Sequence, residues 1–310
     1  MKSRPRILGA VLACIGLPVV LTVTEAMSFH LRNRSNGTIV SSGQKREYVL
    51  HVPRSYDNST PTALVISLHG AALWGAAQQE ISQWNEVAER EGLIVVYPSA
   101  LGEHGPRAWH VDEGSGLMKD VTFIAELIDT LQAAYNIDPA RIYANGLSNG
   151  GGMAFVLSCA LSNRIAAIGM VAAAQTLPWE WCSDDRAVPM ISFHGTADLQ
   201  VPYNGGQGSL VILRLGPAFP AVPTWTANWA ERNQCESNPV ETAVAIDVAR
   251  IEYRDCDGST GVVLYTIHGG GHTWPGGGPL PQWFTGATSR SIDATGLMWA
   301  FFRKYALVQD

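Results

Sequence analysis

Gly146-Leu147-Ser148-Asn149-Gly150 is the stretch on which the fold turns. The run Arg141-Ile142-Tyr143-Ala144-Asn145 reads as a strand leading into it. Residues 151–161, with Met153, Phe155, Val156, Leu157 and Leu161 among them, read as a helix leading out. G-x-S-x-G between a strand and a helix is the pattern of a nucleophile elbow. The turn is so tight that flanking side chains clash, hence the glycines two residues either side of the serine. Such a turn presents the Ser148 hydroxyl at the top of a sheet, beside the free N–H groups of a helix start. A chance match is the rival in a chain with 31 glycines, and the strand–turn–helix setting argues against it.

Working outward, the chain alternates strands and helices. Residues 46–52 partly alternate in polarity and predict a half-exposed strand. Residues 63–68 and 93–97 are continuous apolar runs, as buried central strands require. Helical spacing marks residues 78–90, 120–135 and 224–232, and a closing helix is expected over 293–305. Residues 166–173, 188–193, 249–253 and 261–267 predict further strands. The order implies a mostly parallel central sheet with helices on both faces, and with the elbow it specifies an α/β-hydrolase fold.

A serine hydroxyl needs a base within hydrogen-bond reach, and the base needs a carboxylate to fix its tautomer. On this fold both follow the serine in the order acid, histidine, each on a loop after a strand. Asp198 follows the 188–193 strand in His194-Gly195-Thr196-Ala197-Asp198, ahead of Asp184 and Asp185, which precede that strand. His272 follows the 261–267 strand in His268-Gly269-Gly270-Gly271-His272. His268 is the competitor; the three glycines favour His272 by letting its backbone approach the elbow. The oxyanion donors expected are the N–H groups of Asn149 and of Ala71, after His69-Gly70, with Ala72 in reserve. Trp109 and Trp274, with Trp283 behind them, are candidates to line an acyl pocket. The glycines between His268 and His272 make a helical zinc pair implausible, and the chemistry asks for neither metal nor other cofactor.

The first 26 residues read separately. Lys2, Arg4 and Arg6 precede an apolar run over 7–23, and Thr24-Glu25-Ala26 offers a cleavage site. Residues 1–26 are therefore a secretory signal or an uncleaved N-terminal membrane anchor, and 40–308 the catalytic domain. Either way the chain is exported, extracellular or periplasmic. Four cysteines remain after the leader and allow three pairings. Sequential pairing, Cys159 with Cys182 and Cys235 with Cys256, closes short local loops and is preferred. The net charge of −6 and the lack of a basic cluster beyond the N-terminus argue against nucleic-acid partners.

Over residues 46–305 the chain resembles the secreted polyhydroxybutyrate depolymerase and feruloyl esterase group of α/β-hydrolases, similar to carbohydrate esterase family 1. The likeness is carried by Leu68-His69-Gly70, Lys119-Asp120-Val121-Thr122-Phe123-Ile124, Asn136-Ile137-Asp138-Pro139, the elbow, Phe193-His194-Gly195-Thr196-Ala197-Asp198, Val201-Pro202-Tyr203-Asn204-Gly205-Gly206 and Gly269-Gly270-Gly271-His272-Thr273-Trp274-Pro275-Gly276. It implies a serine carboxylic-ester hydrolase with Ser148 as nucleophile, Asp198 as acid and His272 as base. The substrate implied is a feruloylated polysaccharide, a polyhydroxyalkanoate or a small acyl ester. The sequence departs from many relatives at Ala71-Ala72. Asp120 matches an acidic family position outside the triad and reads here as a helix N-cap. A peptidase or acyltransferase on the same fold, or a binding protein without activity, is the alternative.

Overall fold

The computed structural model describes residues 34–102, 105–114, 116–182, 186–209, 218–278 and 280–308, so the expected leader lies outside the described residues. Ten strands follow in chain order: β1 (Gly37–Ser41), β2 (Gln44–His51), β3 (Thr62–Leu68), β4 (Ile94–Pro98), β5 (Ile137–Leu147), β6 (Ala167–Val171), β7 (Met190–Gly195), β8 (Val240–Ala245), β9 (Val248–Tyr253) and β10 (Val262–Ile267). They form one sheet in the order β1-β2-β4-β3-β5-β6-β7-β10-β9-β8. From β4 to β10 the pairing is parallel. The flanking strands on either side pair antiparallel.

The helices are α1 (Gly75–Ser82), α2 (Trp84–Glu91), α3 (Leu117–Ala134), α4 (Asn149–Ala160), α5 (Val222–Arg232), α6 (Gln282–Thr285) and α7 (Ala294–Phe302). Side-chain alternation along β5 assigns them to faces. Ile142 and Ala144 join a core with Phe123, Ile124 and Leu127 of α3 and Phe155 of α4. Tyr143, between them, stacks on Phe302 of α7, which also stacks on Trp84 of α2. Successive strand residues point to opposite faces, so α3 and α4 cover one face and α2 and α7 the other.

The expected helix over 78–90 is two helices, because Gln83 takes a left-handed conformation (φ 56°) that ends α1 and starts α2. That turn sends Trp84 inward, fully buried, with its indole N–H on Asn145 Oδ1. β1 and β8 stand beyond the strands expected from the sequence. Every residue of β8 is exposed or half-exposed, so it carries no apolar alternation to read.

After β3 the chain crosses to β4 on one side, then returns through α3 to β5 on the other. The sheet order reverses between β3 and β5. Open sheets place their ligand sites outside the carboxyl ends of strands at such a reversal. The loop after β3 holds His69-Gly70-Ala71, and Ser148 follows β5.

Candidate active site

Ser148 sits between β5 and α4 with φ 55° and ψ −122°, a conformation that costs a non-glycine residue roughly 1–3 kcal/mol. Its neighbours make the turn obligatory. A Cβ on Gly146 falls 2.3 Å from the Gly150 carbonyl carbon, and one on Gly150 falls 2.2 Å from Leu68 O of β3. Only glycine tolerates either approach. The Ser148 N–H donates to Val171 O (2.8 Å), which ties the elbow to the end of β6.

Asp198 lies on the loop after β7 and His272 on the loop after β10, the same edge of the sheet as Ser148. The two meet: His272 Nδ1 donates to Asp198 Oδ2 at 2.8 Å. Asp198 Oδ1 accepts the N–H groups of Gln200 (2.8 Å) and Val201 (2.9 Å). Burial alone pushes the Asp198 carboxyl up, but hydrogen bonds from His194 and His272 outweigh it and hold it well below the usual carboxylate range. His194 Nε2 is 3.4 Å from Asp198 Oδ2, yet makes its shorter contact, 2.8 Å, with Val201 O. That shorter bond fixes the acid loop. With Nδ1 occupied, His272 presents Nε2. Among the described residues neither Nε2 nor Ser148 Oγ has a hydrogen-bond partner, so the Ser148–His272 hydrogen bond is not made here.

The glycines before His272 serve close packing. A Cβ on Gly271 falls 2.1 Å from Thr285 O of α6, and one on Gly195 falls 2.1 Å from Gly270 O. The His272 N–H donates to Thr285 O (2.6 Å). His268 is exposed, and its N–H donates to Asp247 O (2.8 Å), away from Asp198.

The expected oxyanion donors separate cleanly. Ala72 is spoken for: its N–H donates to Arg107 O (2.7 Å). The N–H groups of Ala71 and Asn149 have no acceptor among the described residues. The Asn149 side chain, unmarked by any sequence signal beyond its place in the elbow, clamps Trp109. Its Oδ1 accepts Trp109 N–H (2.7 Å) and its Nδ2 donates to Trp109 O (3.0 Å).

Three expectations need correction. Trp109 is 2% exposed, stacked on Phe123 and donating its indole N–H to His69 O (3.1 Å), so it packs beneath the elbow and lines no open pocket. Trp274 is 1% exposed, with its indole N–H on Thr295 Oγ1 (2.9 Å), and is equally enclosed. Asp120 is not an N-cap: Gly116 holds that position, and Asp120 lies in the first turn of α3. There it is buried, paired with Arg46 (2.7 Å) and accepting from both the backbone N–H and the ring of His110. Trp283, by contrast, is 76% exposed on α6, beside exposed Phe284.

Residues 47–176 match the family described as Esterase PHB depolymerase. The chain is 32% identical over 234 residues to Feruloyl esterase B of Piromyces equi, covering 73% of this chain and 42% of that protein. It is 25% identical over 255 residues to Feruloyl esterase D of Neurospora crassa, covering 78% and 79%. The chain thus spans less than half the length of the first relative. Among solved structures, an acetyl xylan esterase from Aspergillus awamori superposes with a TM-score of 0.59 at 15% identity, over 76% of this chain and 93% of that one. That likeness speaks for the fold alone. The chain is similar to esterases of this group, and its fold is α/β-hydrolase-like.

Proposed function

We propose, with that likeness as the premise, that the chain is an exported serine hydrolase of carboxylic esters that works through an acyl-enzyme. The observation that carries the reading is the 2.8 Å Asp198–His272 bond at the sheet edge where the strained Ser148 also stands. Ser148 Oγ attacks the ester carbonyl as His272 Nε2 takes its proton, and Asp198 stabilises the imidazolium. The oxyanion settles on the N–H groups of Asn149 and Ala71. As the intermediate collapses, the carbonyl carbon–alkoxy bond breaks and His272 protonates the leaving alcohol. Water, deprotonated by His272, then attacks the acyl-enzyme, and the acid departs with Ser148 restored.

Substrate binding is what brings the Ser148 hydroxyl to His272 Nε2, since such contacts tighten in the loaded enzyme. Exposed Leu199, Trp283 and Phe284 supply an apolar rim. Gln200 Nε2 donates to Phe284 O (3.2 Å), and Thr285 O receives the His272 N–H, so this rim is fastened to both loops. It suits an apolar or aromatic acyl group, and the feruloyl esterases among the relatives make a feruloyl ester the first to test. Export rests on the basic and apolar leader and on an even set of cysteines.

Ser148→Ala should lower kcat on p-nitrophenyl esters by roughly three or more orders of magnitude in a folded protein. A fluorophosphonate should label Ser148 and no other serine; a well-folded, fully active variant sinks the proposal. Methyl ferulate, short p-nitrophenyl esters and a polyhydroxybutyrate film, assayed side by side, fix the acyl class.

A further inference from the structure

We infer that residues 107–110 set the spacing of the two oxyanion donors, and that buried Asp120 is their anchor; the inference rests on the serine-hydrolase reading above. The four-residue segment touches both donor-bearing loops. At one end, Arg107 O accepts the Ala72 N–H (2.7 Å), which fixes the peptide next to the Ala71 donor. Ala72 has φ 63°, an unfavourable left-handed conformation that this bond helps hold. Two residues on, Trp109 N–H and O are both engaged by the Asn149 side chain, whose own backbone N–H is the other donor. A pair of antiparallel bonds of this kind permits neither sliding nor rotation of the helix start.

The segment is also held from behind. Trp109 donates to His69 O (3.1 Å), and the rings of His69 and Trp109 lie 5.3 Å apart. His69 accepts Ala100 N–H at Nε2 (3.0 Å), with Gly70 O at 2.8 Å from its Nδ1, so both ring nitrogens are used. Next comes His110. Its N–H (3.0 Å) and Nδ1 (2.8 Å) both reach Asp120 Oδ2, while Asp120 Oδ1 takes Arg46 Nη2 (2.7 Å). The Arg46 guanidinium lies 3.9 Å over the Phe123 ring. Gly116 is compelled here, since a Cβ would fall 2.2 Å from the His110 ring. Asp120 thus gathers β2, α3 and the 107–110 segment at one buried carboxylate.

Oxyanion stabilisation depends on donors already aimed at the position the charge will occupy. A strap that fixes both donors acts on the transition state and leaves ground-state binding nearly alone. Asp120 and the Asn149 amide are positioning residues in this scheme.

The test measures kcat per titrated active serine in Asn149→Ala, Asp120→Asn and the double variant, on p-nitrophenyl butyrate. Inhibition by a trifluoromethyl ketone, whose hemiketal oxyanion needs the same donors, is read alongside. Each single variant should lose roughly 10–100-fold in kcat, less than the 10²–10³ seen when a donor is removed outright. KM should stay within about threefold, and the inhibitor should weaken in the same proportion as kcat. The double variant should lose less than the product of the two single losses, since both act through one segment. Should Asp120→Asn fail to fold, Asn149→Ala and His110→Ala, both at partly exposed positions, decide the matter. Wild-type kcat and inhibitor affinity in the folded variants, or losses confined to KM, overturn the inference. Ser148→Ala keeps the two claims apart: if it is inert while the strap variants are normal, the strap fails alone; if it is active, the hydrolase reading fails first.

Discussion

His268 and His272 stand four positions apart after β10, yet only His272 meets a carboxylate. A base must be neutral to take the Ser148 proton, so kcat/KM should show an acidic limb, falling as pH drops. Asp198, held well below the ordinary carboxylate range, stays ionised across that limb and contributes nothing to it. Replacing His272 with alanine should remove both activity and limb, whereas replacing His268 should leave the limb in place; the reverse pattern in pH–rate profiles transfers the role to His268. A third histidine predicts a stability effect. Burial pushes His69 down to about 4, against the partial support of its bond to Gly70. The unfolded chain takes up this proton near pH 6.5 and the native state does not, so native stability falls as pH drops from about 6.5 toward 4. The ceiling on that loss is about 3 kcal/mol. Urea midpoints across this range should decline more steeply for wild type than for His69→Asn; equal slopes would show that His69 carries none of the effect.

Among the elements, β3, β4 and the elbow helix were readable from sequence because each buries a continuous apolar surface, and burial leaves its mark in composition. Gln83 left none: a left-handed polar residue interrupts a helix without disturbing the apolar spacing either side. Ser148, Asp198 and His272 could be chosen by chain order and by the loops that carry them, since the fold dictates both. The Asp120 network could not, because Arg46 and His110 reach it from a strand and a loop whose meeting only the tertiary structure supplies. Trp109 and Trp274 misled for a related reason. An indole beside a reaction centre reads alike whether it faces substrate or closes the core behind it. The elbow itself yields a sharp expectation. Gly150→Ala places a methyl against Leu68 O, a backbone atom with no rotamer to relieve it, and should cost at least roughly 3 kcal/mol. Chemical denaturation measures the loss, and a variant within about 1 kcal/mol of wild type would mean the strand ends are looser than they stand here.

For the molecule as a whole, two disulfides fasten segments remote from the chemistry. Cys159–Cys182 joins the far end of α4 to the loop after β6, and Cys235–Cys256 joins the residues after α5 to those after β9. In the chain-entropy model, closing a loop of this size stabilises by roughly 3 kcal/mol. Cys235→Ser/Cys256→Ser should therefore lower the melting temperature by several degrees and leave kcat at 25 °C within about twofold. A large kcat loss at unchanged melting temperature would show that this bridge shapes the site. Distribution of the reacting groups over three strands bears on time as well as shape. Ser148 follows β5, Asp198 follows β7 and His272 follows β10, so a chain emerging from the ribosome has passed His272 before it owns a base. If exported as proposed, the extended polypeptide carries a serine no more reactive than any other. On the proposed reading, competence arrives only when β10 docks beside β7, which confines hydrolysis to the finished molecule.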